Sequence, residues 1–196
     1  MSEPTLDYKI NALGQAVKSL IDKANQTVRT KGSSTNFYSE KGGQFQFSLI
    51  SPKYVLQEKN GIVSRLVERD GAVLIEAAPP DPDKQGFLDW KNRKITFSLS
   101  DKDIGDIVYS LEKGILNKNG ELVCIYHKNQ KGEIETSKVF KIKPGNQNSQ
   151  GQTTFLVEIY DATNKNKVSV FIIGSDLMRL KLALESAFPL VLGWTE

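Results

Sequence analysis

The sequence predicts an α+β protein in which four strands and a helix are followed by four more strands and a second helix, with an extra N-terminal helix ahead of them. Three observations carry this. Short segments alternate apolar and polar residues, the period of half-buried strands. Gly, Asn and Pro clusters separate those segments at turn spacing. Two stretches switch to three- and four-residue apolar spacing and carry helix end signals. The strand–helix order occurs twice, as a unit of about 65 residues whose halves share a pattern more than letters.

The elements follow in chain order. In residues 7–28, Ile10, Leu13, Val17, Leu20, Ala24 and Val28 form a narrow helical stripe, broken once by Gly14. Such a stripe suits docking on the parent domain as well as pairing with another helix, and both readings stay open. Lys31 to Asn36 reads as a linker by composition. Phe45, Phe47 and Leu49 then alternate with Gln44, Gln46 and Ser48, the first strand. Ile62 to Val67 follows the Asn60-Gly61 turn, and Ala72 to Ala78 follows Asp70-Gly71. After the breaker Pro79 to Asp83, the fourth strand runs over Lys94 to Leu99.

Ser100-Asp101-Lys102-Asp103 has the form of a helix start, because a serine cap and early acids satisfy orphan N–H groups and the macrodipole. Ile104, Ile107, Val108 and Leu111 form the apolar face of that helix and Gly114 ends it. The second set of strands covers Leu122–Tyr126, Ile134–Ile142, Thr153–Tyr160 and Lys167–Ile173. A helix from about Ser175 to Phe188, capped by Ser175 or Gly174, closes the pattern.

Composition limits the chemistry. Cys124 and His127 are the only cysteine and histidine, too few for a Cys/His zinc site or an internal disulfide. Cys124 falls in an apolar strand and reads as buried and inert, and His127 as a surface or capped residue. Glu76, Asp81 and Asp83 lack ligand spacing, and no helix start follows Gly42-Gly43 to make a phosphate loop. The expectation is a non-enzymatic binding module without cofactor. The net charge of +3 excludes a polycation but not a local basic patch. No apolar run approaches the ~20 residues of a membrane span. With no evident signal or transit peptide, the expected location is cytoplasmic, in a bacterial or phage-like setting.

Phe87 to Gly105 reads F-L-D-W-K-N-R-K-I-T-F-S-L-S-D-K-D-I-G. This resembles the Whirly family of single-stranded-DNA-binding proteins, in which the corresponding segment is approximately Y-D-W-x-R-K-x-x-F-S-L-S-x-x-E-I-G. Asp89-Trp90, Arg93-Lys94, Phe97 to Ser100 and Ile104-Gly105 match in register. Ile75 to Pro79, Tyr126-His127 and Ala187 to Trp194 resemble further family segments, so the likeness spans about residues 36–194. It implies two packed antiparallel four-stranded sheets with helices, a cyclic homotetramer, and single-stranded DNA lying along the sheets between protomers. The family's K-G-K-A-A-L stretch has no full counterpart. Lys41-Gly42-Gly43 aligns only with a one-residue shift, and the second lysine becomes Gly43. The N-terminal segment, in place of a transit peptide, suggests a non-plant member. The division expected is 1–35 for helix and linker and 36–196 for the nucleic-acid-binding domain.

Sequence-independent binding of a single strand needs cations along the phosphates and flat groups for the bases. Candidate cations are Lys41, Lys53, Lys91, Arg93 and Lys94; candidate stacking groups are Tyr38, Tyr54 and Trp90. Gln44 and Gln46 offer amides to base edges. Lys138, Lys141 and Lys143 form a second basic cluster. The expected function is single-stranded DNA binding in protection, repair, replication or transcription. The alternatives are RNA binding on the same fold and an assembly role for the N-terminal helix.

Overall fold

A computed structural model describes residues 34–38, 42–59, 61–131 and 134–193. The expected N-terminal helix and Lys41 lie outside the described residues. Strands β1 (Ser34–Tyr38), β2 (Gln44–Ile50), β5 (Ala72–Ala78) and β6 (Ile95–Leu99) form one antiparallel sheet in the order β1-β2-β5-β6. Strands β7 (Val123–Lys131), β8 (Ile134–Gln147), β9 (Thr153–Asp161) and β10 (Asn166–Ile173) form a second, in the order β10-β9-β8-β7. Helix α1 (Asp101–Lys113) joins the sheets and helix α2 (Gly174–Val191) follows β10. The α+β class and the two four-stranded sheets agree with expectation.

The membership of the first sheet differs from the expected one. Ser34 to Asn36, read as linker, belong to β1, where they pair with Ser48, Phe47 and Gln46. The segment expected as the second sheet strand is instead β4 (Ile62–Arg69), which pairs only with β3 (Lys53–Lys59) in a separate two-stranded ribbon. The polar residues of β1 mask it, because one face is open to solvent and only Phe37 is buried.

The alternation places one row of each sheet inside. Phe45, Ile75 and Phe97 from the first sheet meet Phe140, Ile159 and Val168 from the second in one continuous core. Phe140 lies 6.4 Å from Phe47 in an edge-to-face contact and 6.2 Å from Phe97 between ring centroids. The helices cover the remaining edges with Ile104 and Ile107 of α1 and Leu180, Leu184, Ala187 and Val191 of α2. Helix α1 starts as the sequence indicates. The Ser100 hydroxyl accepts from Asp103 N at 3.2 Å and the Asp103 carboxylate accepts from Ser100 N at 2.8 Å, a reciprocal capping box. Gly114 closes it in the left-handed conformation at φ 63°. Helix α2 has no side-chain cap, since its N-cap is Ile173 rather than the expected Ser175 or Gly174.

At Gly43 the two sheets approach closely. It is buried, and its N–H donates to Ser169 O of β10 at 3.2 Å. A Cβ at this position would fall against the Ala78 carbonyl oxygen and 2.5 Å from Val168 Cγ1. Among the described residues, no helix is long and apolar enough to cross a membrane.

Candidate nucleic-acid interface

Because β1, β2, β5 and β6 bury one row each, their alternate residues form an outward face. The register sets Asn36, Gln46, Glu76 and Thr96 in one line across it. Tyr38, Gln44 and Ala78 form the next line, and Ser34, Ser48, Leu74 and Ser98 the line on the other side. The face is therefore rich in amides and hydroxyls, groups that both donate and accept or can turn to do either. Tyr38 stands 56% exposed at its corner, an open ring. Lys94 Nζ bonds Glu76 Oε1 at 2.6 Å, so this cation lies over the face but carries a partner.

The loop between β5 and β6 opens from the same end. Its frame is Asp89, which is 8% exposed and accepts from Asn92 N at 2.9 Å and Arg93 Nε at 3.0 Å. The Asn92 N–H, and then the Arg93 guanidinium, hold the Asp89 carboxyl below its usual range against the opposing effect of burial. Arg93 also donates to Pro80 O, and an isolated bridge between Pro80 and Leu88 narrows the loop. Arg93 thus ties the loop together. Trp90 is half-buried on it, and Lys91 is exposed and outside the described ion pairs.

The predicted residues therefore divide. Tyr38, Gln44, Gln46 and Lys94 share one face, with Trp90, Lys91 and Arg93 on the loop at its end. Lys53 and Tyr54 lie beyond Ile50 and Ala72, at the opposite end of β2 and β5. Lys53 pairs with Glu68 at 2.5 Å on the ribbon, and Tyr54 Oη donates to Gly193 O at 3.5 Å behind α2.

The second basic cluster is internally compensated. Glu121 is 1% exposed, with Lys141 Nζ at 2.8 Å and Lys143 Nζ at 3.5 Å from the same carboxylate oxygen. Burial alone would raise its pKa, but bonds from Asn117 and Lys141 outweigh this and bring it to about 2. The Glu121 bond in turn raises Lys141. Cys124, exposed on this outer face rather than buried as expected, has its thiol pushed up by desolvation and by Glu121. Lys138 Nζ donates to Thr96 O at 2.9 Å and lies 3.9 Å from Asp161.

Sequence reasoning missed an aromatic set on the outside of the second sheet. Tyr126 and Tyr160 sit in one line through Val139, and Phe171 lies two lines further along, opposite Leu156. Tyr126 is 55% and Phe171 58% exposed. Their signal was present as alternation against the buried Ile159 and Val170. Among the described residues no cluster of three or more His, Cys, Asp or Glu is placed to hold a metal ion.

Comparison with known proteins agrees with the fold described above. The family model described as Whirly transcription factor matches residues 37–181. The solved structure of WHY3 from Arabidopsis thaliana is similar over 82% of this chain and 89% of that one, with 24% identity and a TM-score of 0.57. WHY1 from the same plant is similar over 82% and 91%, at 23% identity and a TM-score of 0.58. A structure described as the plant transcriptional regulator PBF-2 gives 82%, 90%, 22% and 0.57. None of the curated proteins matches the sequence. Those structures share the fold, and the family match extends over most of the strands and helices described above: the chain belongs to the Whirly transcription factor family.

Proposed function

We propose that this protein binds single-stranded DNA without reading its sequence and acts by that means in transcription control or in the protection of exposed strands. The observation that carries the reading is the outward face of the first sheet. It is lined by Asn36, Gln44, Gln46, Thr96 and Ser98, with the open Tyr38 ring at one corner. Amides and hydroxyls that accept or donate suit any base edge, and stacking on an aromatic ring is equally tolerant. A duplex hides the Watson–Crick edges and the faces of its bases, so the face offers it little beyond Lys91 and Lys94. Membership of a transcription factor family supports the same reading.

The protein acts as a homotetramer in this reading. Helices α1 and α2 pack on each other's flanks yet leave Tyr109, Met178 and Leu182 more than half exposed, an apolar surface suited to contact between copies. Titration with labelled oligonucleotides tests the function. Single strands should bind at least tenfold more tightly than a duplex of the same sequence, and Tyr38→Ala should weaken binding about 5- to 100-fold, the equivalent of one lost stacking contact. Equal affinity for duplex would overturn the reading, and an RNA strand that outcompetes the DNA would transfer it to RNA.

A further inference from the structure

A cleft of about 310 Å³ lies between β6, at the edge of the first sheet, and residues of the second sheet. This lies at the low end of the ~300–1,000 Å³ range of small-molecule pockets. One wall is His127, whose ring stacks on Phe97 at 4.4 Å and 14°. Asp103 fixes the ring through Nε2 at 3.0 Å. One face of the imidazole is thus taken by Phe97, while the side chain remains 30% exposed on the cleft side. Lys138 and Asp161 continue the row of His127 across the second sheet, and Asn164, in the turn after β9, bonds Asp161, which is 4% exposed; Thr96 to Ser98 of β6 line the other side.

The chemistry of this cleft selects its ligand class. It holds no surplus charge, because Lys138 faces Asp161 and also bonds Thr96 O. A phosphate therefore finds no free cation there. A fixed aromatic ring beside Ser98, Thr136 and Asn164 suits a neutral planar heterocycle with hydrogen-bonding edges. The mouth adjoins the proposed strand path directly, since Thr96 and Ser98 belong to both the cleft and the outward face, and β6 is an edge strand with backbone groups facing no neighbouring strand.

We infer that this cleft receives one everted nucleobase of the strand lying on the outward face, stacked on the free side of His127. This rests on the single-strand reading above. Turning one base out of a single strand costs less than extracting it from a duplex, so the cleft also favours single strands.

His127 is the only histidine in the chain, so its ring protons give one identifiable pair of NMR signals. The full chain is titrated with an oligothymidine and with an abasic oligonucleotide of equal length, affinity being read in parallel. The oligothymidine should shift the His127 signals upfield and the abasic strand should leave them in place. Ser98→Phe, at an exposed position, should abolish the shift and weaken binding by about 3- to 10-fold. Asn164→Ala, in the turn after β9 beside Asp161, is the second variant and should weaken binding in the same direction. Oligothymidine that binds with the His127 signals unmoved overturns the cleft and leaves the single-strand reading standing. Failure of any oligonucleotide to bind removes both.

Discussion

Two residues show how much of this molecule is decided by single contacts. Gly43 stands where the family's motif has a second lysine, which the sequence presents as a lost charge. In the fold it is a point of close approach, bonded to Ser169 O and backed by the Ala78 carbonyl and Val168. A side chain there must push the sheets apart. Gly43→Ala should cost about 1–3 kcal/mol, the range of overpacked interiors, and Gly43→Lys more; urea unfolding monitored by circular dichroism checks this. Glu121 is the second case. Its folded pKa of about 2 lies below the ordinary value of 4.5. A depressed carboxyl stabilises fully above its unfolded pKa and loses that contribution as pH falls toward the folded one. Glu121→Gln should therefore destabilise by about 1–3 kcal/mol near neutral pH, with the gap from the parent shrinking between about pH 5 and pH 2. Urea midpoints at a series of pH values measure it, and a gap independent of pH would show that the charge of Glu121 contributes nothing.

At the scale of elements, the sequence was legible wherever one face is buried and the other wet. Gln44 to Leu49, Ala72 to Ala78 and Ile95 to Leu99 sit where alternation puts them, and the Ser100 and Gly114 helix ends are correct. It was illegible where burial is slight. Strand β1 buries only Phe37, so Ser-Thr-Asn reads as linker; it exists because β2 offers a free edge. The β3–β4 ribbon misleads in the opposite way. Ile62, Val63 and Val67 look like a core strand, yet they are 71%, 59% and 54% exposed, and the ribbon pairs with neither sheet. Hydrophobic pattern marks a strand but does not say which strand it joins. The site followed the same division. Outward residues could be read from alternation, while the partners of Lys94, Arg93 and Lys53 depend on register and loop closure, which no local pattern contains. Since the ribbon buries little, replacing residues 55–66 by a short Asn-Gly turn should leave a cooperative thermal transition, lowered by only a few degrees; loss of cooperativity would mean that it braces the sheets.

For the whole molecule the net charge of +3 conceals ion pairs at most of the described cations that the sequence offered for binding, Lys91 excepted. Lys94 is held by Glu76, Arg93 by Asp89, Lys53 by Glu68, Lys167 by Glu158, and Lys141 and Lys143 by Glu121. A phosphate that takes one of these cations must displace a carboxylate, so little counterion release remains to be gained. Affinity must then rest mainly on stacking and base-edge contacts, which salt affects weakly. Single-strand binding loses about 0.7 in log K per decade of salt for each phosphate neutralised. With two or three neutralisations the slope should be about −1.5 to −2, against about −3.5 for a groove using all five candidate cations. Glu76→Gln releases Lys94 over the face without removing it. That change should raise affinity at low salt and steepen the slope by about 0.7, the signature of one added phosphate contact. Fluorescence anisotropy across a salt series measures both slopes. A steep slope in the parent protein, unchanged in Glu76→Gln, would mean that the ion pairs open on binding and that the interface is electrostatic after all.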